Sequence, residues 1–356
     1  MEQRKHEMGL LDLMDRPAFC VAEGKITQVN AAAAAFGLAP QMELAPLLAN
    51  GSEEYTTFES GCLYLSLVLE GIRMGASVTR MDDMDVFRLE ELDDNQELRT
   101  MALAAMHLRA PLSTVMVTAQ RLFPVSGLED EPGIREHVAQ INRGLYQMLR
   151  VLDNMSDAGH YTAAPRMETM NLTSLIAEFL EKAAGLLEHG QHRLIYEGPE
   201  QDIYGLADRE KLERAVLNIV SNAVKFSAPG DVIRAKLTQH GYKLHLSVED
   251  SGTGIPAGIL SNVYTRYQRQ CSVEDTRFGI GLGMVLIRAA ADVHGGAVLI
   301  DHPHETGTRV TLTLAIRQGQ SEVHSGLLYP DYSGEMDHAL IELSDCLPAS
   351  LYEKEI

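Results

Sequence analysis

Two asparagines and a lysine lie at spacings that could bind a metal and a phosphate chain. Asn218 and Asn222 are one helical turn apart, so a helix would place both amides on one face. Amide oxygens are hard, neutral ligands that suit Mg²⁺ when it already carries phosphate oxygens. Lys225 follows one turn later and adds a positive charge for phosphate. The spacing fits a magnesium triphosphate, and it fits equally a pair of asparagines that cap or hydrogen-bond buried structure.

A carboxylate downstream begins a glycine turn. Residues 244–250 alternate between apolar and polar side chains, which predicts a half-buried strand that ends at Asp250. Gly252 and Gly254 follow and permit the backbone to approach a flat base closely. A carboxylate here can accept a hydrogen bond from the exocyclic amine of adenine, which would select adenine over guanine. An ordinary turn is the alternative for this motif taken alone.

A second glycine group precedes a predicted helix. Gly279, Gly281 and Gly283 lead into residues 284–294, whose pattern predicts a helix that ends at the glycine pair following it. Backbone amides of a glycine loop at a helix N-terminus can bind phosphate without dedicated side chains. No strand immediately precedes this loop, so a dinucleotide-binding βαβ unit is not predicted.

In this order, the three motifs resemble the ATP-binding domain of sensor histidine kinases, which are Bergerat-type ATPases. The resemblance covers residues 168–317, and residues 264–269 are similar to the aromatic box of that family. It implies an α/β sandwich, a flexible lid at about 264–280, and ATP and Mg²⁺ as cofactors. It assigns Mg²⁺ to Asn222. The implied nucleotide contacts are Asn218, Asn222, Lys225, Asp250, Gly252, Gly254, Tyr267, Arg269, Gly279, Gly281, Gly283 and Thr308.

One position separates this chain from hydrolytic members of the same superfamily. Those proteins carry a glutamate at the position of Asn218, where the carboxylate activates water as a general base. An amide cannot accept that proton. Phosphoryl transfer to a protein side chain, or nucleotide binding alone, is therefore favoured over ATP hydrolysis, and Asn218 is assigned to the catalytic centre.

Residues 90–160 predict an antiparallel helical hairpin. Residues 90–123 favour a helix, residues 124–127 interrupt it, and apolar positions recur at helical spacing over residues 134–155. Two such amphipathic helices bury their apolar faces in a dimeric four-helix bundle. This arrangement resembles the dimerisation and phosphoacceptor domain of histidine kinases and implies a homodimer. A hairpin docked on its own chain is the alternative.

The phosphoacceptor motif departs from the family pattern. In the family, a histidine lies five places before a proline, but counting back from Pro111 reaches Met106 and leaves His107 one place further on. A one-residue shift turns a helical side chain by about 100°. The acidic neighbour is also absent, and Ala110 replaces the residue that would position water. His107 is therefore either a displaced phosphoacceptor or a helix histidine without a special role.

Residues 8–88 predict a sensor module. Residues 10–30 have the pattern of a helix and two strands, and an alanine-rich helix follows at 31–36. This order resembles the opening of a PAS domain, and the apolar runs at 61–69 and 74–78 could complete its sheet. Nothing in the module specifies a ligand. Together these segments predict a multi-domain α+β protein.

Composition limits the partners and the compartment. The chain has 356 residues and a formal net charge of -20, which opposes binding to nucleic acid or anionic membranes because both are polyanions. No run of 18 apolar residues and no signal-peptide pattern is present, so a cytoplasmic location without a direct membrane segment is predicted. The cysteines, at 20, 62, 271 and 346, have no paired spacing and are predicted to be reduced.

Three functions fit these observations. The first is a sensor histidine kinase that passes phosphate to the receiver domain of a response regulator. The second is a degenerate kinase that binds nucleotide and signals by protein contact. The third, a serine kinase of the anti-sigma type, is disfavoured because such proteins usually lack a preceding hairpin and sensor. Residues 318–356 form a tail that either docks on the ATP-binding domain, contacts a partner or is a peripheral appendage.

Overall fold

The structure is a computed structural model. It describes residues 16–81, 84–91, 134–159, 164–256, 282–303, 306–317 and 337–353, together with the separate positions 11, 14, 104, 105, 108, 112, 115 and 260.

The N-terminal part is an antiparallel sheet with short helices. The strand–turn–strand pattern and the later apolar runs are confirmed as strands, in the spatial order β2-β1-β5-β4-β3. The elements are β1 (Ala18–Ala22), β2 (Lys25–Val29), α1 (Ala31–Ala34), α2 (Ser52–Thr57), β3 (Cys62–Leu69), β4 (Ile72–Met81) and β5 (Met84–Glu91). The described portion does not decide between a PAS domain and another small sensor fold, so the PAS assignment stays a prediction.

One boundary prediction was wrong. The first hairpin helix was expected to begin at residue 90, but Glu90 and Glu91 belong to β5. They pair with Gly75 and Met74 of β4 in antiparallel register. Cross-strand pairing therefore overrides the helical preference of glutamate.

The second helix of the predicted hairpin is present as α3 (Ile134–Gly159). Its apolar face, including Leu145, Tyr146 and Leu149, is buried in the main core of its own chain. The first helix falls largely outside the described residues, although the separate positions from 104 to 115 are helical. The dimeric four-helix bundle stays a prediction.

The C-terminal two thirds contain an α/β sandwich. Alternate side chains on its strands, such as Leu244, Leu246 and Val248, pack beneath a helical layer in the main core. The sheet runs in the order β11-β12-β10-β9-β7, with β7 parallel to β9 and the other neighbours antiparallel. The elements of the sandwich are β6 (Glu168–Asn171), α4 (Leu172–Leu187), β7 (Arg193–Glu197), β8 (Tyr204–Ala207), α5 (Arg209–Phe226), β9 (Val232–His240), β10 (Lys243–Glu249), α6 (Gly283–Val293), β11 (Val298–Asp301) and β12 (Arg309–Ala315), and β6 and β8 form a separate two-stranded sheet.

Local signals explain where the helices that matter for the site begin and end. Asp208 caps α5, since its carboxylate accepts a hydrogen bond from the backbone N–H of Lys211 at 3.1 Å. The helix α6 is followed by Gly295, whose φ of 69° is the left-handed conformation that favours glycine at a helix end. The predicted helix over 284–294 and its glycine stop are therefore confirmed.

The two sheets join at β3 and β11. These strands pair in antiparallel register, with Tyr64 opposite Val298, and produce one ten-stranded sheet. Side chains reinforce the junction, because Glu54 of α2 accepts hydrogen bonds from Lys243 at 2.5 Å and Thr313 at 2.6 Å. The N-terminal module therefore packs directly on the sandwich.

The C-terminal segment also docks on this body. It contains α7 (His338–Glu342) and a 3-10 turn at Ala349–Tyr352, and it packs against α3 and α5. The ring of Tyr352 lies edge-on to that of Tyr146, with centroids 4.9 Å apart. Within the described residues, none of the helices combines the length and apolar character needed to cross a bilayer.

Candidate functional site

The first motif lies on the second half of α5, as predicted. Asn218 is 1% exposed, and its Nδ2 donates to the backbone oxygen of Arg214 at 2.9 Å. Asn222 and Lys225 follow on the same helix and are partly buried. The amphipathic pattern of α5 directs its apolar side chains to the sheet and leaves these polar positions at the edge of the helical layer.

The first and third motifs meet at Gly283. This glycine begins α6, and a Cβ placed there would lie 2.9 Å from Oδ1 of Asn218. A larger residue at this position would therefore press on the asparagine. The lack of a side chain lets the start of α6 approach the amide closely.

The second motif forms the other end of the site. Asp250 is 7% exposed, and its Oδ1 accepts hydrogen bonds from the backbone N–H of Gly252 at 2.9 Å and of Thr308 at 3.2 Å. A Cβ on Gly252 would lie 2.1 Å from the backbone oxygen of Phe226, the last residue of α5. The glycine turn is thus pressed against the end of α5, and all three motifs border one region.

Burial affects the ionisation of Asp250. Removal of the carboxylate from water raises its pKa, and the hydrogen bonds from Gly252 and Thr308 oppose this rise. The second glycine of the turn, Gly254, has a φ of 72°, a conformation that side chains rarely adopt. The carboxylate is therefore held in a fixed direction by its own backbone turn.

Acidic side chains of the C-terminal segment contact the first motif. Asn218 donates to Oε2 of Glu342 at 3.3 Å, and Nζ of Lys225 lies 2.5 Å from Oδ2 of Asp345. Arg150 of α3 joins both carboxylates, since its Nε lies 3.1 Å from Oε2 of Glu342 and its Nη1 bonds Asp345. Arg150 and Glu342 are 6% and 3% exposed, so this is a buried charge cluster.

The cluster shifts the ionisation of its members. Burial disfavours the charged form of Arg150, but the negative charges of Glu342 and Asp345 outweigh it and raise the pKa of the guanidinium. Burial would likewise raise the pKa of Asp345, but Arg150 and Lys225 together lower it. The charged states therefore hold one another in place.

Comparison with known proteins agrees with this geometry. A family model described as histidine kinase-, DNA gyrase B- and HSP90-like ATPase matches residues 207–318. The histidine protein kinase DivJ of Caulobacter vibrioides is 38% identical over 112 residues, which cover 31% of this chain and 18% of DivJ. The sensor histidine kinase WalK of Bacillus subtilis is 25% identical over 250 residues, which cover 67% of this chain and 39% of WalK. Residues 207–318 therefore belong to this ATPase family, and the chain resembles sensor histidine kinases.

A solved structure has a similar fold. Full-length ShkA in complex with AMPPNP aligns with a TM-score of 0.50 and 18% sequence identity, over 62% of this chain and 46% of that chain. The chain therefore spans less than half of the length of DivJ, WalK and ShkA.

The two ends of the candidate site differ in their fit to a nucleotide. At one end, a buried carboxylate with a fixed direction and a turn without side chains fit a flat base with an exocyclic amine. At the other end, amide oxygens and Lys225 fit Mg²⁺ and phosphate, but Glu342 accepts a hydrogen bond from the amide nitrogen of Asn218, and Asp345 accepts one from Lys225. The donor set fits Mg-ATP. The phosphate end also contains the carboxylates of Glu342 and Asp345.

Several predicted residues lie outside the part of the chain that the structure describes. They include the displaced phosphoacceptor His107 and the lid at 264–280. The predicted nucleotide contacts outside the described residues are Tyr267, Arg269, Gly279 and Gly281.

The cluster around Arg150 is not apparent from the sequence. Arg150 lies 68 residues from Asn218 in the chain, and Asp345 lies 195 residues from Arg150. No local spacing links such positions. One available signal is the pair of acidic residues, Glu342 and Asp345, in the tail that was expected either to dock on the ATP-binding domain, to contact a partner or to be a peripheral appendage.

Proposed function

We propose that this chain is the sensing and catalytic part of a two-component histidine kinase that binds Mg-ATP. The observation that carries the proposal is the convergence of the three motifs: Gly283 against Asn218, and the Asp250 turn against the end of α5. The match of the ATPase family model to residues 207–318 supports it. The kinase relatives support phosphoryl transfer as the reaction.

Each residue has a distinct task in this proposal. Asp250 accepts a hydrogen bond from the exocyclic amine of adenine, Asn222 supplies an amide oxygen to Mg²⁺, and Lys225 neutralises phosphate charge. Asn218 completes the metal end of the site without acting as a base towards water. Bound Mg²⁺ supplies charge stabilisation for the transferring phosphoryl group. ATP as a substrate agrees with a cytoplasmic location.

The acceptor in this proposal is His107. A neutral ring nitrogen attacks the γ-phosphorus, a P–N bond forms, and the bond from phosphorus to the bridging oxygen of ADP breaks. The phosphoryl group then passes to the receiver domain of a response regulator. A homodimer through the helical hairpin that ends with α3 would supply the four-helix bundle that presents the histidine.

Labelling tests this proposal directly. The protein is incubated with Mg²⁺ and ATP labelled at the γ-phosphate, and acid-labile label on the protein is counted. His107→Gln should remove the label, whereas the matched control His137→Gln, an exposed histidine on α3, should retain it. Label that survives in His107→Gln, or label that is stable to acid, contradicts His107 as the acceptor.

A degenerate kinase that signals by contact is the second candidate. Two observations favour it: Met106 at the family's acceptor position, and the carboxylates of Glu342 and Asp345 at the phosphate end. This candidate predicts nucleotide binding without any label on the protein. The same labelling experiment, combined with calorimetry for ATP and ADP, separates the two functions.

A further inference from the structure

The C-terminal segment covers the phosphate end of the proposed ATP site. The segment 337–353 begins with Asp337, whose side chain caps α7, and continues over α5. Its contacts with the second half of α5 include Asn218, Ser221 and Lys225, which share one face of the helix. The family resemblance gave this segment no role.

Two cations from different elements meet at one oxygen. Oδ2 of Asp345 contacts both Nζ of Lys225, at 2.5 Å, and the guanidinium of Arg150. Arg150 also lies 3.1 Å from Oγ of Ser221 and 3.5 Å from Oδ1 of Asn218. The guanidinium of Arg150 is thus within hydrogen-bond distance of the face of α5 that carries the predicted metal and phosphate ligands.

Arg150 and Lys225 are buried cations that contact the same carboxylate oxygen, so they need an anion between them. Arg150 is 6% exposed, and the side chain of Lys225 is 10% exposed, so water screens their repulsion poorly. Removal of both carboxylates would leave the two cations uncompensated. Guanidinium and ammonium groups bind phosphate oxygens with the same charge-assisted geometry as carboxylates.

We propose that Arg150 and Lys225 form one anion-binding site with two alternative occupants: the carboxylates of Glu342 and Asp345, and the phosphate groups of a bound nucleotide. The inference rests on the proposed function, and it adds Arg150 as a phosphate-binding residue from the hairpin. The segment 337–353 competes with the nucleotide and leaves α5 when the phosphates enter. Nucleotide binding then releases the hold of the segment on α3.

Competition of this kind lowers the apparent nucleotide affinity. Only the fraction of molecules with the segment displaced can bind, so the apparent Kd equals the intrinsic Kd divided by that fraction. Neutralising the two carboxylates should enlarge this fraction. We expect the apparent Kd for Mg-ATP to fall about tenfold or more, within the usual range of coupling between two sites.

The first experiment uses a shape-conserving double variant. Glu342→Gln with Asp345→Asn retains the size of both side chains and removes their charge, and Mg-ATP affinity is measured by calorimetry on the full chain. The matched control is Glu353→Gln, which removes a carboxylate from the same segment without touching Arg150 or Lys225. We expect tighter binding in the double variant and wild-type binding in the control.

Arg150 itself is tested in the same background. Arg150→Met is added to the double variant. It removes the guanidinium from a protein in which residues 342 and 345 no longer carry the negative charges that it neutralises in the wild type. The gain in Mg-ATP affinity should be lost again, because one of the two phosphate-binding cations is gone. Retention of the full gain would contradict the role of Arg150.

A second experiment holds the segment in place. Oγ of Ser221 lies 3.6 Å from Sγ of Cys346, so Ser221→Cys places two thiols at a separation from which a disulfide can form. The oxidised variant should lose Mg-ATP binding, and reduction with dithiothreitol should restore it. Ser221→Cys with Cys346→Ser is the control, and oxidation should leave its binding unchanged.

The outcomes separate the two proposals. Equal and measurable Mg-ATP affinity in the wild type, the double variant and the oxidised Ser221→Cys variant overturns the competition and leaves the proposed function intact. Absence of binding in every variant, including the double variant, overturns the proposed function and the competition with it. Failure of the cross-link to form under oxidation contradicts the docking of the segment, whatever the nucleotide does.

Discussion

The hydroxyl of Tyr64 in β3 donates a hydrogen bond to Oδ2 of Asp292 in α6 at 2.8 Å, and both residues are buried. Ser66 of the same strand donates to the other carboxylate oxygen. The helix that receives these bonds begins at Gly283, against Asn218. The N-terminal module therefore contacts the element that also borders the phosphate end of the proposed site.

The contact predicts an energetic coupling between the module and the sandwich. Tyr64→Phe and Asp292→Asn, measured separately and together by denaturant unfolding, form a double-mutant cycle. We expect a coupling of about 1 kcal/mol or more, because a buried hydrogen bond to a charged group contributes about 1.5–3 kcal/mol. As a control, Tyr242→Phe, an 86% exposed tyrosine on the same sandwich, should show no coupling with Asp292→Asn. Additive effects for the buried pair would count against the coupling.

The metal end of the site gives a second prediction. Asn222→Ala should remove the dependence of ATP binding on Mg²⁺, because the amide oxygen assigned to the ion is lost. Calorimetry with Mg²⁺ and with EDTA measures this dependence in the same protein. In EDTA, wild type and variant should bind equally weakly, which serves as the internal control. A variant that still responds fully to Mg²⁺ contradicts the assignment of Asn222.

The sequence predicted the site where the chemistry is local. Asn218 and Lys225 share a face because both lie on one amphipathic helix, and Asp250 with Gly252 follows from a strand that ends in a turn. Spacing of this kind needs no knowledge of the tertiary fold. The helix α5 and the strand β10 lie where the pattern placed them.

The sequence did not predict contacts between distant segments. Nothing in the pattern around Cys62 indicates that β3 pairs with β11, since an exposed strand edge is open to many partners. Glutamates at 90 and 91 favour a helix, yet pairing with β4 makes them a strand. The docking of Asp345 on Arg150 likewise depends on a tertiary arrangement that local preferences do not encode.

The base end of the site gives a third prediction. Asp250→Asn keeps an oxygen that can accept the hydrogen bonds from Gly252 and Thr308, but its other atom becomes a donor. A donor matches the carbonyl oxygen of guanine better than the amine of adenine. We expect the ratio of ATP to GTP affinity to fall about tenfold or more, which corresponds to one hydrogen bond of about 1.4 kcal/mol.

Competition binding with the two nucleotides measures this ratio. Asp202→Asn is a suitable control, because Asp202 is an exposed aspartate whose carboxylate accepts a hydrogen bond from Asn171 and not from the glycine turn. Its ATP to GTP ratio should match that of the wild type. A wild-type ratio in Asp250→Asn would show that another group reads the base.

His294, at the end of α6, gives a prediction about how the free energy of unfolding depends on pH. Its Nε2 accepts a hydrogen bond from the backbone N–H of Asp208 at 3.0 Å, and its Nδ1 lies 2.7 Å from the backbone oxygen of Ala290. Acceptance from Asp208 requires the neutral ring. The side chain is 2% exposed, and burial lowers its pKa from the ordinary value. Protonation therefore removes a bond that positions the start of α5.

The lowered pKa fixes the direction of the pH dependence. Because the unfolded chain binds the proton more readily, the free energy of unfolding should fall as the pH drops below about 6.5, by up to about 1.4 kcal/mol per pH unit for this group. His294→Gln keeps an acceptor without a titrating ring, so it should lack this part of the slope. Denaturant unfolding of the wild type and the variant between pH 7 and pH 5 gives the pH dependence of each unfolding free energy. Subtracting one from the other cancels the contribution of other groups. Parallel curves would mean that His294 is not held neutral in the folded state.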